Sequence, residues 1–296
     1  MFKDFYRKYL SGNIVSKFIF ANVLLYVFLL LIGVFSMLFN IPGVANTVLS
    51  FLEFPASFVQ FVSRPWTLFT YMFVHAGVWH LLWNMMALYL FGRIFLNFYS
   101  ERQFVGTYII GGLSGAVLYA VAYNVFPYFA PIVGVSRLVG ASAALMAIVI
   151  AAAVRSPQYR INLFLIGSVR LSTLAVAVVI ISFLMLSGDN AGGNFAHLGG
   201  AFAGWLIAYL LNKGVDVVSF FLKPWEWLVS LFKRTRAPRR TRFNYVRGGR
   251  NADYEYNARR RAENAEVDRI LEKIKQGGYA SLSEEEKRIL FEASSR

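Results

Sequence analysis

Six apolar stretches, each close to the length that carries a helix across a bilayer, constrain this chain more than any other feature. Spanning the hydrocarbon core takes roughly 20 predominantly apolar residues as helix. Candidates lie at about Phe18–Leu38, Trp79–Phe98, Phe104–Phe126, Leu138–Val154, Val169–Leu186 and Asn194–Leu211. The fourth and fifth are short and alanine-rich, which suits helices packed inside a bundle. The first is too long for the apolar region of a signal peptide and is followed by further spans, so it is expected to be retained. The expected fold is an all-α membrane protein: a six-transmembrane-helix bundle followed by a small soluble helical hairpin.

Composition sharpens that reading. Hydrophobic residues make up 57% of the chain, against roughly 45–50% for soluble domains. Residues 1–212 hold only 11 of the 30 Lys and Arg and 4 of the 16 Asp and Glu. The chain therefore divides into an apolar body (1–212), a linker region (213–250) and a charged end (251–296). A net charge of +14 could suggest a nucleic-acid partner, but its distribution fits membrane topology instead, and no nucleic acid is expected. With the N-terminus inside, Lys3, Arg7, Lys8, Lys17, Arg93, Arg102, Arg155, Arg160 and Arg170 all face the cytoplasm, and only Arg64 and Arg137 lie outside. That asymmetry follows the preference of basic residues for the inner side and makes both termini cytoplasmic. The absence of cysteine excludes disulfides and thiolate metal sites.

Polar residues within spans are costly, so they mark function. The chain has three histidines: His75, His80 and His197. In FVHAGVWHLLWN, His80 and Asn84 are four apart and share a helix face. Ser142 opens the fourth helix in VGASAALM, and His197 opens the sixth in NFAHLGGAFAG. With the N-terminus inside, the second, fourth and sixth helices all enter from the outer face, so these four residues share one depth near external water. That combination suits acyl transfer, because a serine hydroxyl becomes a competent nucleophile when an adjacent histidine takes its proton. A His–Asn pair on a facing helix can supply donors to the developing oxyanion. The acids of residues 1–212 are Asp4, Glu53, Glu101 and Asp189; none is placed as a third member, so a dyad is expected.

These motifs resemble those of the rhomboid intramembrane proteases. FVHAGVWHLLWN, the Gly140–Ala143 turn and the His197-Leu198-Gly199-Gly200 run followed by Gly204 match that family in order, spacing and helix assignment over roughly residues 15–212. The resemblance implies an intramembrane serine endopeptidase that cuts transmembrane segments of single-pass or other membrane proteins, without metal or cofactor. Ser142 would be the nucleophile and His197 the general base. The Ser142 backbone N–H with the His80 and Asn84 side chains would form the oxyanion hole. Three positions depart from the family's pattern. Ala143 stands where a glycine is usual, Met146 replaces the aromatic that packs on the catalytic histidine, and Trp66-Thr67 replaces a Trp-Arg pair in the first loop. His75 reads as structural, and Gly111/Gly115 and Gly200/Gly204 as close-packing notches. The resemblance also suggests the inner membrane of a bacterial cell.

Other chemistries fit less well. HExxH is absent, the spans lack the aspartates of an aspartyl protease, and paired interrupted helices with ion-coordinating acids, as in transporters, are missing. The main rival is a rhomboid-like protein that binds membrane clients without cutting them. In the tail, Trp225, Leu228, Val229 and Phe232 recur at helical spacing, as in a helix lying on the inner surface. The basic run Lys233–Arg250 reads either as an anionic-lipid contact or as a linker that fixes topology. Beyond it, Val267, Ile270, Leu271 and Ile274 mark a helix closed by Gly277-Gly278, and Ser283 with Glu286 forms a capping box for the next.

Overall fold

The apolar stretches fold as helices whose ends are set by local chemistry. The computed structural model describes residues 12–163, 167–223, 266–275 and 277–294. Helix α1 (Ile14–Leu38) starts where the Asn13 side chain accepts the Ser16 N–H at 3.0 Å. It is apolar all round, and only Val15, Asn22 and Ser36 are buried, so it sits at the edge of the bundle: Phe18 packs on Phe104 and Tyr108, while Leu24, Phe28, Leu31 and Phe35 face out. After α1 the chain makes α2 (Pro42–Leu52), the two-residue strand β1 (Phe54–Pro55) and the short helices α3 (Phe58–Ser63) and α4 (Thr67–Thr70). The long helices α5 (Val78–Leu96) and α6 (Glu101–Val125) follow. A Ser100–Gln103 capping box begins α6.

The strand β2 (Arg137–Leu138) pairs antiparallel with β1, Phe54 opposite Leu138 and Pro55 opposite Arg137. Helix α7 (Ser142–Arg155) is the centre of the bundle: every residue from Ala143 to Ala153 except Leu145 is buried. Its alanines let the neighbours approach closely. A Cβ on Gly111 of α6, or on Gly204 of helix α9 (Ala191–Asn212), would run into Ala147. Small residues at such crossings are how membrane helices gain packing without a hydrophobic drive between them. Between α7 and α9 lie strands β3 (Arg160–Leu163) and β4 (Gly167–Arg170), then α8 (Leu171–Leu184).

The expectation of a purely helical chain is therefore too simple. The chain is mostly helical, but the described residues also form two short antiparallel ribbons. The fourth apolar stretch does not become helix until Ser142, because Leu138 pairs with Phe54 and Gly140 turns the chain. The fifth loses its start to β4, where Val169 pairs with Ile161. Among the described residues, α1, α6 and α9 are long and apolar enough to cross a membrane by length and composition. After α9 the chain turns at Gly214 (φ +82°), and residues 217–223 form a helix whose Val218 and Leu222 pack on Ile109, Ile110 and Ile207.

The chain divides into two compact units, Met1–Lys233 and Arg234–Arg296. In the second, residues 266–275 are helical, Gly278 (φ +73°) ends that segment by donating to the Ile274 carbonyl, and α10 (Glu284–Ser294) follows. The capping box is formed both ways: Ser283 N–H reaches Glu286 Oε2 at 2.7 Å, and Glu286 N–H reaches Ser283 Oγ at 3.2 Å. Lys273 Nζ pairs with the same carboxylate at 2.8 Å, while Ile270 and Leu282 are buried. The Trp225–Phe232 pattern, the Lys233–Arg250 run, and Lys3, Arg7 and Lys8 lie outside the described residues.

Candidate active site

Three helix starts build the site. Ser142 is the first residue of α7, behind Gly140, whose φ of +116° suits a residue without Cβ. Gly140 donates its N–H to the Tyr71 carbonyl at 3.0 Å, and a Cβ there would meet the His80 ring at 2.8 Å. This turn thus presses the imidazole of His80, on the first turn of α5, against the approach to Ser142. Being at the N-terminus of α7, the Ser142 N–H has no partner one turn back within the helix and sits at the positive end of its dipole.

The His197 Nε2 lies 2.8 Å from Ser142 Oγ. His197 comes from the second turn of α9, whose start is capped by the Asn190 side chain on Gly193 N–H. What holds the two helices at this separation is a second glycine notch: a Cβ on Gly200 would overlap the Ala143 backbone. Across the helix, Gly115 of α6 accepts the Ala143 methyl, since a Cβ on Gly115 would stand 2.6 Å from it. The alanine in place of the family's usual glycine is therefore accommodated by a neighbouring glycine.

Two candidate donors come from α5. Ala76 N–H points at His80 Nδ1 at 3.4 Å, which makes Nδ1 the acceptor and leaves Nε2 of a neutral ring as the donor. Asn84 is buried and directs one amide N–H to the His80 carbonyl at 2.8 Å, with its second N–H remaining. His75 is buried beside them, 5.1 Å from the His80 ring in an edge-to-face arrangement, and bonds the Phe73 carbonyl at 3.3 Å. The first loop is tied down by Trp66 Nε1 on the Phe51 carbonyl (2.7 Å), Thr70 Oγ1 on the Leu52 carbonyl (2.7 Å) and Arg64 on the Ser50 carbonyl. Thus Arg64 supplies a guanidinium anchor even though Thr67 follows Trp66.

Two cavities meet at the Ser142–His197 pair. One of about 720 Å³ is also lined by His80, Asn84, Arg137 and Asp189. The other, of about 630 Å³, runs between α5 and α8 past Phe91, Met146, Val178 and Ile181. Ser142, His197, His80 and Asn84 are all brought together. Met146 lines the second cavity with His197, and Gly204 lies two turns along α9 from His197. Asp189 is exposed on the rim. Among the described residues no cluster of three His, Asp or Glu side chains has metal-ligand placement.

One neighbour was not picked out from sequence. Ser182 of α8 is buried, and its Oγ is 3.4 Å from His197 Nδ1. Its signal is a hydroxyl set in the otherwise apolar run VVIISFL, the kind of polar intrusion that intramembrane helices tolerate where it has a partner.

Compared with known families, residues 62–214, just over half of the chain, match the Rhomboid domain. Residues 250–296 match a family of unknown function, DUF6576. The chain is similar to RHOMBOID-like protein 7 of Arabidopsis thaliana, with 32% identity over 158 residues, 49% of this chain. It spans 42% of that relative's length.

Proposed function

Since the chain belongs to the rhomboid family, an integral membrane family, we propose that it is an intramembrane serine endopeptidase acting on transmembrane segments of other membrane proteins through a Ser142–His197 dyad. The observation that carries this reading is the 2.8 Å contact between His197 Nε2 and Ser142 Oγ. Ser142 Oγ attacks the scissile carbonyl carbon as His197 Nε2 takes its proton. The carbonyl oxygen becomes an oxyanion facing the Ser142 N–H and the donors of His80 and Asn84. Collapse breaks the C–N bond, His197 returns the proton to the departing amine, and the acyl group stays on Ser142. Water then attacks the ester with His197 again as base, releasing the acid and the free serine.

Helix length supports chemistry below the membrane surface. At 1.5 Å per residue the 14 residues of α7 reach about 21 Å, short of the roughly 30 Å hydrocarbon core. With Arg155 at the inner interface, Ser142 falls within the core near its outer side. Six spans with both termini cytoplasmic accord with the basic-residue asymmetry, and the resemblance of the site motifs favours a bacterial inner membrane. The division into a protease domain (1–212), a linker region (213–250) and a cytoplasmic hairpin (251–296) belongs to the same proposal, as does contact of Lys233–Arg250 with anionic lipid. The apolar cavity between α5 and α8 gives a substrate helix a route to the dyad from the bilayer.

The test is cleavage of a reporter transmembrane substrate by purified protein reconstituted in lipid. Ser142→Ala and His197→Ala should each abolish cutting while retaining the fold. Binding of the reporter by the parent protein without any cutting would instead favour a non-catalytic client-binder.

A further inference from the structure

We propose that Ser182 is the positioning residue of His197: its hydroxyl accepts the Nδ1–H, which fixes the tautomer that turns the Nε2 lone pair toward Ser142. The proposal rests on His197 acting as base. Two observations on opposite sides of the ring carry it. Nε2 lies 2.8 Å from Ser142 Oγ, and Nδ1 lies 3.4 Å from Ser182 Oγ. A neutral imidazole carries one proton. If Nε2 is to accept from the Ser142 hydroxyl, the proton resides on Nδ1 and needs an acceptor. The acids of this region do not provide it. Asp189 is exposed on the rim, and Ser182 is the residue hydrogen-bonded to Nδ1.

The contact is built into the helix register. One turn from it, Asn194 Nδ2 donates to the Met185 carbonyl at 2.8 Å. Moving three residues on from Ser182, to Met185 just past the end of α8, corresponds to moving three back along α9, from His197 to Asn194. The two bonds are therefore successive rungs between antiparallel helices, and Asn194 is itself buried. The outer half of α8 otherwise offers apolar side chains, so this register is what delivers a hydroxyl to the ring. A helical serine can donate its proton to a carbonyl one turn back and still accept at Oγ. Ser182 Oγ therefore carries lone pairs that can accept the Nδ1–H. Without it, Nδ1–H would face apolar surroundings, and the ring would be freer to rotate or to hold its proton on Nε2, where it cannot act as base.

The test compares Ser182→Thr, which keeps the hydroxyl, with Ser182→Val, which has nearly the same shape without it. Both are reconstituted in lipid beside Ser142→Ala and His197→Ala. Ser182→Val should lower kcat about ten-fold, the scale of one hydrogen bond, with KM and Tm within about two-fold and a few degrees of the parent. Ser182→Thr should recover most of the loss. Nitrogen-15 NMR of histidine-labelled protein, with His197 assigned by difference against His197→Ala, should show the Nδ1–H tautomer in the parent and lose that bias in Ser182→Val. Parental kcat in Ser182→Val, equal slowing in Ser182→Thr, or an Nε2–H ring in the unmutated protein would each overturn the proposal. The last needs no variant to fold. Should Ser142→Ala or His197→Ala cut at the parental rate, the dyad itself falls and Ser182 with it. If both are dead and Ser182→Val is unimpaired, only the positioning role falls.

Discussion

Adding one methyl group at Gly200 should slow this protein more than removing many a larger side chain. A Cβ there would stand 2.8 Å from the Ala143 carbonyl carbon and closer still to its oxygen, where ordinary contact begins at 3.4 Å. The obstacle is backbone, so no side chain can swing away. Helix α9 must retreat from α7 by at least about 0.6 Å, the difference between those two separations. His197 is one turn from Gly200 on the same face and would be carried back with it, lengthening and weakening its 2.8 Å contact with Ser142. Misplacement of about 1 Å costs on the order of 10²-fold in rate, so Gly200→Ala should reduce kcat by about 10- to 100-fold. Overpacking of this kind also destabilises by about 1–3 kcal/mol. Gly33→Ala is the control, since its Cβ would meet nothing within 4 Å. The assays are reporter cleavage with kcat and KM separated, and thermal unfolding in the same detergent. Gly200→Ala with the parent's kcat and Tm would show that α7 and α9 are not in close contact and that the proposed dyad geometry is wrong.

Further outcomes follow from other parts of the structure. Asn84→Ala and His80→Ala should lower kcat by about 10²–10³-fold with little change in KM; a rise in KM alone would make Asn84 a packing or binding residue. Because the chain contains no cysteine, single cysteines report topology cleanly: those at Gly134 and Ser187 should react with an impermeant thiol reagent in intact cells, and one at Ser156 should not. The reverse pattern would place the dyad on the cytoplasmic side. Removing residues 251–296 should leave intrinsic cleavage nearly intact, and strict dependence on that segment would make it part of the enzyme. The Lys273 ammonium, with the Ser283 N–H, holds the Glu286 carboxyl down to about 2 from its ordinary 4.5. A carboxyl depressed on folding stabilises above its unfolded value and ceases to do so as pH falls through the folded one. Amide exchange across α10 should therefore accelerate between about pH 4.5 and 2 in the parent and accelerate less in that window in Glu286→Gln, once the intrinsic rate is corrected.

The residues that meet at the site are easier to read in the sequence than their supports. Ser142, His197, His80 and Asn84 stand out because polar groups in apolar runs are rare, and helix order alone puts them at one end. The start of α7 was harder: Leu138 is as apolar as a span residue, yet it pairs with Phe54 in a ribbon more than 80 residues apart in sequence. Val169 reads as a span residue for the same reason, although Ile161 claims it across β3–β4. Hydropathy scores each residue alone and carries no information on such pairing. Gly115 as the companion of Ala143 and Ser182 as the companion of His197 are likewise tertiary facts, set by the register of neighbouring helices. The capping box at Ser283 needed no such context, because both partners lie within one turn.

The most direct measurement of the central claim is where a fluorophosphonate becomes attached to the protein. The reagent phosphonylates a serine made nucleophilic by a neighbouring base, so it requires no knowledge of the substrate. Mass spectrometry of the labelled, digested protein should place the adduct on Ser142, and His197→Ala should remove it while leaving Tm unchanged. An unlabelled parent protein that is folded in lipid, or an adduct on Ser142 that forms equally fast without the His197 imidazole, would contradict a Ser142–His197 protease.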